Sequence, residues 1–566
     1  MKSKLLLALT IASAAAFTSC SKMGPLSADN FTVTPNPLES NAGKVPATIN
    51  GLFPEKYMKK KAIVTVTPVL RYEGGQAVGQ PATFQGEKVE GNNQAISYRV
   101  GGNYTMKNTF DYVAPMLQSD LYLTFDAKVG KKTVNIPEVK VASGVIATSE
   151  LVKRTLQSAA TAYAEDNFQR IIKQKQEANI QFLVNQANIR TGELKSVSIQ
   201  QFINTLKEIQ ADENRKALEG VEVSSYASPE GSLKFNTTLA ENRGKNTKDY
   251  VNQQLSGAGL KGDVNTKYTA EDWEGFQQLV SKSNIQDKEV ILRVLSMYTD
   301  PEERETQIRN ISAAYTDLTK EILPQLRRAR IMLNYDLIGR SDEEIQQQYK
   351  ADASKLSIDE LLYAVALSEE TADQAAILQT AAKLYPADYR ALNDLATIAY
   401  QNGDFATAQE YVNKALALNP KAAEPNVNNG LLQMLKGDID GATQSLAKGG
   451  DAYALNEALG NLNLLKGNYA QAVTNFGKSA SNSAGLALLL TKDYLAAATT
   501  LNAVASPDAM TSYLKAIISA RTNNANLAID NLKFAIEQDP TLAAYAAKDL
   551  EFAKLAGSAA FKALLK

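Results

Sequence analysis

Histidine is absent from this chain of 566 residues. Without imidazole it lacks the usual general base, the usual activator of a serine or cysteine nucleophile, and the commonest zinc ligand. Cysteine occurs once, at Cys20. The body beyond it can form no internal disulfide, thiolate cluster or cysteine nucleophile, and no cofactor or metal is expected. An excess of charge is also missing, since 60 Lys plus Arg face 61 Asp plus Glu. Proteins that bind nucleic acid usually carry a basic surplus, so no nucleic acid partner is expected. Carboxylate chemistry is all that survives these absences. Its acidic pairs, Glu302-Glu303 and Glu369-Glu370, sit on charge-rich segments of helical pattern and read as solvated faces. No enzyme is expected.

What is present begins with a leader. Met1-Lys2-Ser3-Lys4 is basic, and Leu5 to Phe17 is apolar apart from Thr10 and Ser13. Spanning a bilayer takes about 20 residues, so this run suits a signal-peptide core instead. It ends in Phe17-Thr18-Ser19-Cys20. A small residue before a cysteine at the end of such a run resembles a bacterial lipobox, with Phe17 where leucine is usual. The resemblance implies removal of residues 1–19, acylation of Cys20 and a short tether over 20–27. An ordinary secretory leader cut after Ala14-Ala15-Ala16 is the alternative. Acyl chains would hold the protein on a membrane. Surface-exported lipoproteins of the Bacteroidota carry acids just after the cysteine. Ser21 to Leu26 contains none, so the expectation is an outer-membrane lipid anchor with the body facing the periplasm.

Hydrophobic residues make up 44% of the chain, enough for several cores. Residues 28–147 alternate in the manner of strands, as in Ala62-Ile63-Val64-Thr65-Val66 and Leu121-Tyr122-Leu123-Thr124-Phe125, with turns at Gly74-Gly75 and Gly101-Gly102. Short strands at this spacing predict an all-β, immunoglobulin-like sandwich serving as spacer or protein-binding module. Lys59-Lys60-Lys61 reads as a solvated strand entry. Residues 148–174 read as a polar connecting helix.

Residues 175–345 read as α/β. Strands are predicted over 179–184 and 221–226, with a helix over 198–210. Then Tyr226-Ala227-Ser228-Pro229-Glu230-Gly231 turns sharply into a helix that carries Asn236, Leu239, Arg243, Thr247 and Tyr250 on one face. A helix start beside a guanidinium can take a carboxylate. A structural arginine pairing a neighbouring Glu or a turn carbonyl is the plainer reading. Asn236, Leu239, Ala240 and Arg243, with Gly231 in the loop and Leu326-Arg327-Arg328-Ala329-Arg330 further on, resemble the OmpA-like peptidoglycan-associating domains over about 170 residues. The resemblance implies peptidoglycan binding, with Ser228, Glu230, Asn236 and Arg243 as candidates. Members that hold diaminopimelate place an acid fifteen residues before the arginine. Here that place is Ser228, and Glu230 follows two residues on.

From residue 355 to 566 the composition shifts to Ala, Leu and Asn. Gly403-Asp404 recurs as Gly437-Asp438 after 34 residues, then as Gly467-Asn468; Tyr385-Pro386 and Asn419-Pro420 are also 34 apart. The pattern resembles tetratricopeptide repeats, stacked helix pairs with a groove for a peptide or helix of a protein partner. Taken together, the chain is multidomain and resembles Bacteroidota outer-membrane lipoproteins that combine OmpA-like and repeat domains. The expected function is non-catalytic anchoring or scaffolding in the envelope. The alternative is a protein-docking subunit of an outer-membrane assembly or secretion complex with no peptidoglycan binding.

Overall fold

Strict alternation builds the first sheet. Along Lys44–Phe53 the buried side chains include Val45, Ala47, Ile49 and Phe53; along Gly102–Asp111 they include Tyr104, Met106 and Phe110. The two strands pair antiparallel with Ile49 opposite Met106, and Phe31–Thr34 adds a third strand beside Lys44–Phe53. A larger sheet is centred on Ala62–Tyr72, which pairs along its whole length with Ser119–Val129 and, on its other side, with Ala82–Gly86. The inner faces share one core, in which the rings of Phe53, Phe84 and Tyr104 lie 4.3–5.3 Å apart between centroids. The computed structural model describes residues 23–565, so the leader and Cys20 lie outside the described residues. Those residues divide into two units: the chain up to Glu165 together with the chain from Glu370 on, and Asp166–Glu369.

After the last β-bridge of the first unit, the connecting helix predicted over 148–174 is not found. One helical turn, Val152–Thr155, lies between short 3₁₀ turns at Thr148–Leu151 and Leu156–Ser158. The chain then runs without regular secondary structure to the strand Ile171–Gln181. The alanines of this stretch favour helix, but their backbone groups find partners on other elements, and those contacts override local propensity.

The rest of the first unit is a stack of helix pairs: Arg390–Gln401 with Phe405–Leu418, Ala423–Leu435 with Ile439–Leu446, Leu455–Leu465 with Tyr469–Phe476, Asn482–Leu490 with Tyr494–Asn502, and Ala509–Arg521 with Ala525–Gln538. Thr371–Leu384 precedes them, and shorter helical turns follow. Each pair turns on a residue of positive φ: Gly403, Gly437, Gly467, Lys492 or Asn523. In four of the five pairs the side chain of the next residue caps the second helix. Asp404, Asp438, Asp493 and Asn524 each accept from the backbone amide three residues on. Close approach within the pairs needs glycine. A Cβ on Gly430, Gly460 or Gly485 would lie 2.5–2.8 Å from Leu446, Phe476 or Leu501.

In the second unit the sheet order is Ile171–Gln181, Arg328–Ile338, Lys216–Tyr226, Val264–Thr269. Arg328–Ile338 pairs antiparallel with both Ile171–Gln181 and Lys216–Tyr226, and Val264–Thr269 pairs parallel with Lys216–Tyr226. Helices Val197–Ala211 and Leu233–Gly257 contribute Phe202, Leu206, Val251 and Leu255 to a core with Ile180, Val223 and Ile331. Between Val264–Thr269 and Arg328–Ile338 a helical insert forms a core of its own around Phe276, Ile291 and Leu326. Glu302 and Glu303 lie exposed in the first turn of helix Pro301–Asn310, and Glu369 and Glu370 are exposed as well.

Gly86 gives a direct test of packing in the β region. A Cβ there would sit 2.1 Å from the Lys59 carbonyl oxygen, a backbone atom. Gly86→Ala is expected to destabilise the fold by about 1–3 kcal/mol, read as a lower urea midpoint.

Candidate functional site

The strand Lys216–Tyr226 delivers its end to the turn that starts helix Leu233–Gly257, whose N-cap Ser232 accepts from the Phe235 amide. The four residues singled out in the sequence converge here. Ser228 donates to Glu230 Oε2 at 2.8 Å, and the same oxygen accepts from Arg327 Nη2 at 2.8 Å. Asn236 Nδ2 donates to the Gly231 carbonyl, and the Gly231 amide donates to Glu305 of the helical insert at 2.9 Å. Arg243 donates from Nε to Gln186 O, from Nη1 to Tyr226 O and from Nη2 to Leu183 O, at 2.8–3.1 Å, and its guanidinium lies over the Phe182 ring. Burial, then the nearby Arg327, bring its pKa down to about 10, while Glu230 acts the other way.

Ser228, Asn236 and Arg243 are all buried. A cavity beside the turn, lined by Pro229, Trp273, Phe276 and Glu305, holds about 10 Å³, roughly the space one water needs. The guanidinium here ties the strand end and the loop at Leu183 and Gln186 to the helix, which is the plainer of the two roles read from the sequence. Gly244, directly after it, leaves room for Ser225: a Cβ would lie 2.7 Å from the Ser225 hydroxyl, which bonds the Ala240 carbonyl.

The second constellation was not legible in the sequence. The segment 148–165 lies along the face made by the first helices of the repeats, in the direction opposite to the repeat order. Thr148 bonds Glu551, and the Ser483 hydroxyl pairs with the Thr155 hydroxyl at 2.9 Å. The Tyr400 hydroxyl donates to Leu156 O at 2.6 Å. The amides of Ala160, Ala162 and Ala164 then donate to Glu457 Oε1, Asn428 Oδ1 and Asp394 Oδ1 in turn. Alternate residues of an extended strand point the same way, so three like-facing amides meet three acceptors, one from each of three successive repeats. Ala162 O accepts from both Asn393 Nδ2 and Asn428 Nδ2, at 2.8 and 2.9 Å. Arg390 reaches Glu165 O.

The same segment is packed as well as hydrogen-bonded. Leu151 and Val152 belong to the core of the later repeats, and Leu156, Ala159 and Ala162 to that of the earlier ones. Each bond to a neutral group contributes only about 1 kcal/mol net, but an amide left unpaired in such a place costs about 1–3 kcal/mol. The groove is thus shaped to hold a backbone. Among the described residues no cluster of three His, Cys, Asp or Glu could hold a metal ion, and no helix is long and apolar enough to cross a membrane.

The C-terminal region carries tetratricopeptide repeats. The tetratricopeptide repeat family matches residues 389–422. No curated protein matches the chain in sequence. Among solved structures, a tetratricopeptide repeat protein from Parabacteroides merdae is 15% identical at a TM-score of 0.28, over 40% of this chain and 89% of that one. Pseudomonas aeruginosa pilF is 18% identical at 0.25, over 40% and 98%. Yeast Tom70 is 11% identical at 0.25, over 64% and 91%.

Asp394 makes this groove sensitive to pH. Burial pushes its carboxyl from 3.8 up to about 7; the Ala164 amide and Asn393 oppose the shift, Glu424 adds to it and Arg390 opposes it. Below about pH 4 the group is protonated in folded and unfolded chains alike, and between about 4 and 7 only the folded chain keeps the proton. The stability it gives is full in acid and is lost as pH rises through the folded value. Asp549, buried where it accepts from the Tyr513 hydroxyl, is raised to about 6 and adds to the trend. The thermal midpoint of the repeats is expected to fall as pH rises from about 5 to about 8. Asp394→Asn, neutral and still an acceptor, is expected to shrink that fall. An undiminished fall in the variant would show that Asp394 is not the group responsible.

Proposed function

We propose that this chain is a non-catalytic docking scaffold of the bacterial cell envelope, acylated at Cys20, held on the outer membrane with its body facing the periplasm, and recruiting a protein partner through its tetratricopeptide repeats. The observation that carries the docking part is the row of Asp394, Asn428 and Glu457, one acceptor per repeat, with Asn393 donating from beside Asp394, which together grip an extended backbone. The envelope part rests on the leader sequence and on Cys20 as the lone cysteine. In this reading the N-terminal β region is an immunoglobulin-like spacer, and the second unit is an OmpA-like domain kept as an interaction module.

Arg243 supports docking without wall binding. Its Nε and both terminal nitrogens already donate to backbone carbonyls, and it is 1% exposed. A diaminopimelate carboxylate would have to reach a guanidinium held inside the fold. A second reading, peptidoglycan binding, is favoured by the convergence of Ser228, Glu230, Asn236 and Arg243 on one turn. There Glu230, engaged by Arg327, is the acid nearest the place of the missing one.

Two measurements separate these readings. The mature protein mixed with insoluble peptidoglycan is expected to stay in the supernatant; pelleting that Glu230→Gln abolishes would instead establish wall binding. Full-length protein extracted from envelopes in mild detergent is expected to migrate as a complex of fixed composition. Recovery as a lone monomer under every extraction condition would end the docking reading.

A further inference from the structure

The segment in the groove is fastened unequally along its length. Its first part, Leu151 to Leu156, sinks three large apolar side chains, Leu151, Val152 and Leu156, into the repeat cores. Its second part, residues 159–165, buries only alanine methyls and Thr161, and is held by hydrogen bonds to Asn393, Asp394, Asn428, Glu457 and Arg390. Tyr163, the one aromatic side chain there, is 43% exposed and donates from its hydroxyl to Gln401. Apolar burial resists release in the first part. In the second, water can replace each bond as the strand lifts. Asn393 and Asn428 bond each other as well as the strand, and Asn393 also bonds Asp394, so the row keeps its arrangement as the strand lifts and presents the same acceptors and donors to another backbone of the same kind.

We propose that residues 159–165 are a releasable strap over a peptide receptor, and that the partner segment which replaces it is an extended strand with small, uncharged side chains facing the groove and amide donors at alternate residues. The chemistry of the partner is read from the resident strand: the pocket around Ala162 is filled by a methyl group, and acceptors meet amides two residues apart. A helix, whose amides are bonded internally, cannot satisfy that row. The proposal rests on the docking reading above and names the surface and class of ligand it uses. In the closed state the strap competes as an intramolecular ligand at an effective concentration in the millimolar range, so a foreign strand enters only when the strap is out. The charged and titratable groups facing Asp394 at this end are Arg390, on its own helix, Glu424, on the next repeat's first helix, and Tyr163, on the strap itself. Desolvation of Asp394 in the closed state makes release easier as pH rises towards neutrality.

The test uses full-length protein and a fluorescent peptide with the sequence of residues 156–166. Ala162→Pro removes the amide that Asn428 accepts and so loosens the resident strand. The loosened protein is expected to bind the peptide at least about tenfold more tightly than wild type, a difference of about 1.4 kcal/mol. Adding Asn428→Leu is expected to abolish the gain. Equal binding by wild type and Ala162→Pro, or binding that survives Asn428→Leu, overturns the proposal. Should Ala162→Pro fail to fold, amide hydrogen exchange on wild type decides. Ala160, Ala162 and Ala164 are expected to exchange at least about tenfold faster than the amides of Val152 to Leu156, whereas equal protection overturns the strap. Failure here with an envelope complex still recovered moves the partner to another face of the repeats. Loss of the complex itself is failure of the docking reading.

Discussion

A peptide backbone cannot be laid between apolar helices with its amides and carbonyls unpaired, because each such group costs more than a hydrogen bond returns. Residues 156–165 lie in that situation, and the first helices of the repeats are built around it. They are rich in Leu and Ala, yet Asn393, Asp394, Asn428, Asn482 and Ser483 are among their buried residues. Buried polar side chains in such a setting need a purpose, and in Asn393, Asp394 and Asn428 that purpose is the strand itself. The shape of the first unit follows. The strand fixes where the β region ends relative to the repeats, where Gly144 meets Leu550 and the Tyr469 hydroxyl donates to Asn41. Arg521, paired with the nearly buried Glu551, closes the end of the array to which Thr148 also bonds.

In the second unit the same constraint runs the other way. Arg243 is a buried donor, and the fold answers with carbonyls from Leu183, Gln186 and Tyr226. A guanidinium with its donors spread over three separate backbone positions fixes the strand end, the following loop and the helix together. Glu230 and Arg327 form an ion pair beside it, with side chains 20% and 13% exposed. A site for an external ligand here would need one of these partnerships to break.

The sequence revealed the elements whose signal is local and periodic. Val45, Ala47 and Ile49 alternate, and the Gly-Asp turns recur with their caps. At Lys492 a lysine takes the positive φ that Gly403 and Gly437 hold elsewhere. The connecting segment differs from its predicted helix because Ala159, Ala160, Ala162 and Ala164 carry helix propensity and no mark of their distant partners. Arg243 was legible as a residue of consequence, but whether it meets a ligand or a carbonyl depends on Leu183 and Gln186, about sixty residues away. The groove row had one faint signal: Asn393-Asp394 and Asn426, Asn428 and Asn429 fall inside helices otherwise patterned for burial, where Asn and Asp are unfavourable.

Ordinary helical repeats touch only their neighbours, so each unit adds locally to stability. Here a single strand crosses several of them, and the partners are remote: Ala162 and Asn428 are 266 residues apart, Thr148 and Glu551 403 apart. Such separations raise contact order and slow the last stage of folding. On synthesis from the N-terminus the strand emerges well before the groove that receives it. A large apolar strand exposed over that interval would be an aggregation hazard. Ala159-Ala160-Thr161-Ala162 offers little apolar surface while it waits, and its hold, once docked, comes from hydrogen bonds that only the finished repeats provide. The small side chains therefore serve folding and release by one physical means: the strand is weak in isolation and specific only when every repeat that grips it is in place.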